Sequence, residues 1–338
     1  MDATVSRTQY GSFKMNKNIG YGVALAIALA APFFGYPVLM MKLLCFSLFA
    51  CAFNLLIGYT GLLSFGHAAF FGAAGYVSGY ALRTLGWPTE LGLLAGVLVG
   101  AVLGLLMGGI AIRRQGIYFT MITLALAQMV YFLALRLPFT GGEDGLQGVP
   151  RGTLLGSVDL SNDMTMYYVV LAIAVGGFAL IVRTVHSPFG QILKAIKENE
   201  PRAISLGYDV DKYKLAVIVL SASLAALAGA TKTLVLGFET LTDVHWTMSG
   251  LVVLMTLVGG MGTLAGPILG ALIIITLENK LGDFGTFVAT QTGIEWFHTL
   301  GESVSMVTGL IFVACVLLFR RGIVGEIVAR YGGARKPA

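Results

Sequence analysis

The chain has 338 residues, of which 57% are hydrophobic and 12% charged, with a mean hydropathy of +0.83. A soluble domain carries about 25% charged residues, and the deficit here runs along the whole length, which excludes a soluble enzyme and points to a polytopic membrane protein. The net charge of +5 does not indicate a nucleic-acid surface, because the basic residues sit in short clusters flanking apolar segments.

The N-terminus is basic (Arg7, Lys14, Lys17) and precedes an apolar run over 19–36. Ala28-Leu29-Ala30 within that run resembles a signal-peptide cleavage site. The chain begins at Met1, however, and the run is expected to be retained as a first span. A membrane-crossing helix needs roughly 20 mostly apolar residues. Further candidates follow at 38–57, 66–82, 91–112, 117–137, 164–183, 214–236, 248–258, 263–281 and 303–319. The predicted fold class is all-α: a polytopic transmembrane helical bundle of about ten spans over 19–319. Gly259-Gly260-Met261-Gly262 interrupts the run 248–281, whose first part is too short to cross alone. That stretch reads as two spans or as one span plus a re-entrant piece. Cys45, Cys51 and Cys315 all lie in apolar runs without metal-ligand spacing and read as small buried hydrophobes. Most of the 45 glycines read as packing positions that let helices approach closely.

Charge orients the spans. With segment 1–18 in the cytoplasm and sides alternating, the inner segments hold 16 of the 22 Lys and Arg residues. The outer side holds six basic against eleven acidic residues, including Glu143, Asp144, Asp159 and Asp163 in the outer loop 138–163. This obeys the positive-inside rule, and it predicts an N-in, C-in protein with the loop 184–213 and the tail 320–338 in the cytoplasm.

That inner loop holds the most polar stretch of the chain, KAIKENEPRAISLGYDVDKYK (194–214). Pro201 suits the first position of a helix and Gly207 the residue just past its end. The expected helix, 201–206, is only about one and a half turns. Alone in water so short a helix does not hold, so it must pack on its own protein or on a partner. Ala203, Ile204 and Leu206 offer a small apolar surface rimmed by Glu198, Glu200 and Arg202. The alternative is an ordinary solvated loop.

Two other segments stand out for glycine. TGLLSFGHAAFFGAAGY (60–76) combines Gly61, Gly66, Gly72 and Gly75 with Ser64 and His67. Dense glycine ahead of a span suggests a broken or re-entrant piece whose backbone lines a cavity. A histidine at membrane depth is a functional candidate. We read His67 first as a hydrogen-bonding clamp on the bend and second as a substrate contact. GGMGTLAGPILGAL (259–272), with Gly259, Gly260 and Gly262, has the same character, and the correspondence hints at a duplicated half. Gly141 to Gly145 on the outer side reads either as a flexible turn or as part of a docking surface for a soluble protein.

Four stretches taken together resemble the LivM type of branched-chain amino acid permeases. They are NLLIGYTGLLSFGHAAFFGAAGYVSGY (54–80), TGGEDGLQGVP (140–150), GYDVDKYKLAVIVLSASLAALAGA (207–230) and LVGGMGTLAGPILGAL (257–272). The similarity runs in order from about residue 40 to 319. It implies one membrane subunit of an ABC importer in a bacterial inner membrane. The implied partners are a second, LivH-like permease, two ABC ATPase subunits and a periplasmic substrate-binding protein, with membrane lipid around them and no cofactor or metal. The polar stretch also resembles the coupling loop of such permeases, in which Glu-Ala-Ala is followed by three residues and Gly. Here Glu200, Ala203 and Gly207 stand in that pattern, with Glu200 one residue further out and Pro201 where a small residue is usual. The resemblance implies ATPase coupling by Glu198, Glu200, Arg202, Ala203, Leu206 and Gly207. The two glycine-rich segments give the expected translocation pathway, past Gly61, Ser64, Gly66, His67, Gly72, Gly259, Gly260 and Gly262.

The chain has no Walker A sequence and no Gly-Lys pair, so ATP hydrolysis is expected on another polypeptide. Importers of urea, short-chain amides or aromatic acids share the pattern and remain alternatives. An ion-coupled secondary transporter would need charged groups buried mid-span. Lys42 and Lys232 fall near the outer ends, where long side chains are expected to snorkel.

Overall fold

The computed structural model describes residues 17–154, 156, 158–292, 309, 310, 313 and 322–331. The predicted span 303–319, the segment 1–18 and Cys315 lie wholly or largely outside the described residues, as do 320, 321 and 332–338 of the tail. The helices begin with α1 (Lys17–Phe34), α2 (Pro37–Thr60), α3 (His67–Arg83), α4 (Thr89–Ala111), α5 (Ile117–Arg136) and α6 (Asp163–His186). Two short helices, α7 (Pro188–Glu198) and α8 (Glu200–Ser205), lead into α9 (Val210–Leu236). A four-residue turn of helix, α10 (Leu241–Val244), precedes α11 (Trp246–Gly259), α12 (Gly266–Thr292) and α13 (Gly322–Tyr331). Each predicted span up to residue 281 falls on one of these helices, in order. Among the described residues, α2, α4, α5, α6 and α9 are long and apolar enough to cross a membrane.

Helices α2 and α9 form the centre. Every residue of α2 from Cys45 to Thr60 is buried, and α9 is buried along most of its length. The approach of α4 to α9 rests on one stripe of glycines. Gly96, Gly100, Gly104 and Gly108 recur every four residues and so share one helix face. They meet Ala230, Ala226, Ala222 and Ile218 of α9 in turn. A Cβ added to Gly104 would lie 2.6 Å from that of Ala222, and one added to Gly96 would lie 2.9 Å from that of Ala230. Lipid tails are as apolar as leucine, so burial alone does not hold two such helices together and close contact between small residues does. The opposite face of α4, from Leu91 to Ile110, is apolar and exposed, as a lipid-facing surface requires.

The segments at the two ends are built differently. At one end, α7 and α8 form a polar hairpin between α6 and α9. At the other, two small antiparallel pairings order the loop regions. β1 (Leu146–Gln147) pairs with β4 (Phe238–Glu239), with Leu146 opposite Glu239, and β2 (Thr153–Leu154) pairs with β3 (Val158–Asp159). The glycine cluster at 141–145 is a pair of 3-10 turns, and Gly145 sits against the Glu239 carbonyl.

The interrupted run 248–281 resolves into α11, a turn, and α12. With 14 residues, α11 is about 21 Å long, short of the roughly 30 Å of a hydrocarbon core. It also starts inside the bundle. Val244, just before it, packs into the notch at Gly72. The neighbouring Phe71 stacks on Phe46 and Phe49, near mid-height of α2, with centroids 5.7 and 4.5 Å away. The helix therefore begins within the span rather than at its edge.

The glycine stripe yields a matched pair of substitutions. Gly100→Ala places a methyl group against Ala226, and overpacking of this kind costs about 1–3 kcal/mol. Gly109→Ala, on the same helix with nothing within 4 Å of its missing Cβ, gains up to about 1 kcal/mol of helix propensity. Thermal melting of the purified protein in detergent should fall for the first and hold or rise for the second.

Candidate functional site

The link between α2 and α3 is six residues of non-helical chain, 61–66, inside the bundle. Irregular backbone at that depth needs partners for its N–H and C=O groups, and side chains of other helices supply them. Thr120 Oγ1 of α5 donates to the Leu63 carbonyl at 3.0 Å, and the Phe65 N–H donates to Thr123 Oγ1 at 3.2 Å. Ser249 Oγ of α11 donates to the Phe65 carbonyl at 2.7 Å and accepts from the Ala68 N–H at 2.9 Å. Ser64 Oγ accepts from the Gly66 N–H at 3.1 Å.

His67 opens α3 and is buried between the edges of Phe53 and Phe70. Ser221 Oγ of α9 donates its one proton to the Ala52 carbonyl of α2 at 2.6 Å, so its oxygen accepts from His67 Nε2–H at 2.9 Å. His67 thus clamps α3 to α9 and α2, the first of the two roles the sequence allowed. Asn54 performs a parallel task for the α11–α12 turn. Its amide donates to the Thr263 carbonyl at 2.8 Å and its Oδ1 accepts from the Gly262 N–H at 2.9 Å.

The structure places most of the expected pathway residues in the interior. Ser64, Gly66, His67, Gly72, Gly259 and Gly260 are buried in this chain's own packing. A Cβ on Gly66 would meet Met107 at 2.9 Å, and those on Gly72 and Gly259 would run into Val244 and the Gly266 carbonyl. Gly262 is partly buried in the turn held by Asn54, and Gly61 alone of the set is exposed. Local glycine density marks a broken helix, and a broken helix can be filled by its neighbours as readily as by water.

The polar hairpin is assembled by capping side chains. Ser187 accepts from the Gly190 N–H, Asn199 from the Arg202 N–H at 3.1 Å, and Asp209 from the Lys212 N–H. Hydrogen bonds from the Lys212 side chain and backbone hold the exposed Asp209 carboxyl below its usual range. Gly207, with φ of +89°, turns the chain out of α8. The short helix thus spans Glu200–Ser205, and the 11-residue α7 before it was not foreseen.

Glu200 accepts from Lys214 Nζ of α9 at 2.6 Å and from Gln115 Nε2 of the α4–α5 turn at 2.8 Å. Lys197 Nζ donates to the Gly58 carbonyl of α2 at 2.7 Å, and Lys194 lies over the Tyr59 ring. The hairpin is therefore fastened to α9, α2 and the α4–α5 turn. The expected apolar face divides. Ala203 turns inward against Ile196 and Val210, whereas Ile204 and Leu206 remain 56% and 68% exposed, with Glu198 and Arg202 exposed beside them. A cleft of about 410 Å³ opens next to them, lined among others by Phe189, Tyr208 and Tyr213.

A third cluster corrects the expectation that Lys232 snorkels. It is buried, and its Nζ pairs with Glu239 Oε2 at 3.2 Å and with Asp243 Oδ2. Thr233 Oγ1 donates to Glu239 Oε2, and the Thr240 N–H and Oγ1 donate to Asp243 Oδ2 at 3.2 and 2.6 Å. Gly75 of α3 provides the room, since a Cβ there would lie 2.5 Å from the Glu239 carboxyl carbon. Lys42, by contrast, is partly exposed, 3.4 Å from Asn279 Oδ1. The chain after α9 folds back into the bundle, which brings the two carboxylates onto the lysine. The capping box of Thr240 and Asp243 was the available signal in the sequence.

Removing one partner of a buried ion pair costs about 3–5 kcal/mol, because the remaining charge is left uncompensated. Lys232→Met should therefore lower the melting temperature sharply. The triple variant Lys232→Met, Glu239→Gln, Asp243→Asn should recover most of the loss. Melting curves of the two purified variants beside the parent check this.

Comparison with known proteins now adds to this geometry. The chain is 28% identical over 299 residues to the high-affinity branched-chain amino acid transport system permease protein LivM of Salmonella typhimurium, covering 80% of this chain and 69% of that protein. A probable branched-chain amino acid transport permease protein LivM of Methanocaldococcus jannaschii is 25% identical, over 60% of each chain. The ribose import permease protein RbsC of Bacillus subtilis is 29% identical over 58% of each. The profile of one family, described as the branched-chain amino acid transport system / permease component, matches residues 37–319, nearly the whole of the helical bundle. The chain belongs to that family.

Proposed function

We propose that this chain is one permease subunit of an ATP-driven importer in a bacterial inner membrane, carrying branched-chain or related neutral amino acids. A periplasmic binding protein would deliver the substrate, a second permease would complete the route, and two ATPase subunits would drive it. In this reading both termini and residues 184–213 face the cytoplasm. The observation that carries it is the α7–α8 hairpin. It presents Ile204 and Leu206 to solvent while Glu200 and Lys197 fasten it to α9 and α2, so a push on α8 reaches the spans through charged and hydrogen-bonded contacts. An exposed apolar pair rimmed by charge beside a cleft suits a protein partner.

A second reading, sugar import, is favoured by the similarity to the ribose permease of B. subtilis. Uptake separates the two. Cells lacking their own branched-chain importers should accumulate labelled leucine, isoleucine or valine when they express this chain with its second permease, ATPases and binding protein. Accumulation of ribose without leucine would establish the sugar reading instead.

The hairpin reading has its own test. Leu206→Asp places a charge on the exposed face and should weaken ATPase binding to the membrane complex more than tenfold, about 1.4 kcal/mol or more. The subunit should still insert and pair, since the spans are untouched. Ala203→Asp, in contrast, buries a charge against Ile196 and Val210 and should damage the hairpin itself. Retained ATPase subunit and substrate-stimulated ATP hydrolysis in purified complexes measure both. Normal values for Leu206→Asp would remove α8 from the coupling role.

A further inference from the structure

Six of the pathway residues expected from the sequence are buried, whereas Gly61 is exposed and Gly262 partly buried, and a solute also needs open polar surface. The exposed faces of the bundle differ in one respect. Those of α4 and α6 are almost wholly apolar within the spans, as lipid requires. The face formed by α5 and the α10–α11 junction is not. His245 is partly buried there, Thr247 is exposed and Trp246 is 42% exposed, at the point where α11 begins. His245 Nδ1 lies 3.0 Å from Thr247 Oγ1, and the His245 ring stacks edge-on against Tyr131 of α5 at 5.1 Å. Gln128, one turn earlier on α5, is partly exposed on the same helix. Behind Tyr131 lies the cluster holding Tyr76, whose buried hydroxyl has no hydrogen-bond partner among the described residues.

Depth makes this arrangement informative. Val244 packs at Gly72, whose neighbour Phe71 stacks near mid-height of α2, so the junction lies within the hydrocarbon span. The first N–H groups of a helix have no partners inside the helix, and here His245 caps two of them, its Nδ1 accepting from the Thr247 N–H and its carbonyl from the Met248 N–H. An interrupted helix at membrane depth is tolerated only where protein buries it or where it lines a water-filled cavity. Val244 and Ser249 on either side are buried, but the described residues leave Trp246 and Thr247 open. We propose that the α5 and α10–α11 face lines a water-filled translocation route, with Gln128, Tyr131, His245, Trp246 and Thr247 along it. Polar atoms beside large rings suit a small zwitterion with an apolar side chain. That choice of solute rests on the importer reading above, whereas the position of the route does not.

The test uses the assembled importer with Cys45, Cys51 and Cys315 replaced by alanine. Thr247→Cys is compared with Leu98→Cys, which lies on the apolar face of α4. In nanodiscs, a charged methanethiosulfonate reagent should modify position 247 at least tenfold faster than position 98, because thiolates form in water and not in lipid. In proteoliposomes, the modification at 247 should stop uptake while the ATPase subunits stay bound. Equal rates at the two positions, or modification that leaves uptake unchanged, would overturn the proposal. Fast modification that stops uptake of a solute other than leucine would keep the route and sink only the amino acid reading.

Discussion

A hydrogen-bonding group in hydrocarbon has no water to turn to, and the rest of this structure follows from that constraint. Unbroken helices meet it within themselves. The breaks cannot, and each is closed by a side chain borrowed from elsewhere. Thr120, Thr123 and Ser249 satisfy the link at 61–66, and Asn54 satisfies both a donor and an acceptor in the α11–α12 turn. Because the lenders sit on α2, α5 and α11, each repair also fixes the position of one helix against another. Polar satisfaction and tertiary arrangement are here one set of bonds.

Close approach is the second determinant. The stripe from Gly96 to Gly108 lets α4 lie against α9, while Gly72 and Gly75 of α3 accept Val244 and Glu239. These glycines serve by lacking a side chain, and none contributes a chemical group. The same lack of a side chain is what draws attention to them in a sequence.

The spans were legible because hydrophobic length is a local property, and the caps of the short hairpin helix were legible because Pro201 and Gly207 act on their own backbone. Where side chains go was less so. Ala203, Ile204 and Leu206 are adjacent and apolar, yet one faces inward and two outward, since the direction depends on α7 and its Ile196. Lys232 read as a terminal lysine because its partners lie 7 and 11 residues on, past a reversal that no local pattern announces. His67 was identified, but its partner Ser221 is 154 residues away.

The buried cluster of Lys232, Glu239 and Asp243 bears on how such a protein is driven. The sequence argument against ion coupling rested on an apparent lack of charge in the spans, and that premise does not hold. The proposal of an ATP-driven importer then rests on different ground. Both carboxylates already accept from Lys232, from Thr233 or from Thr240, so the lysine occupies the place a coupling cation would need. A site that must bind and release an ion in each cycle would leave those oxygens uncommitted. Here Glu239 Oε2 and Asp243 Oδ2 hold the segment 238–243 inside the bundle, directly before the interrupted helix, while Glu239 Oε1 has no partner among the described residues. The buried charge is structural support for the segment that leads into the break at His245.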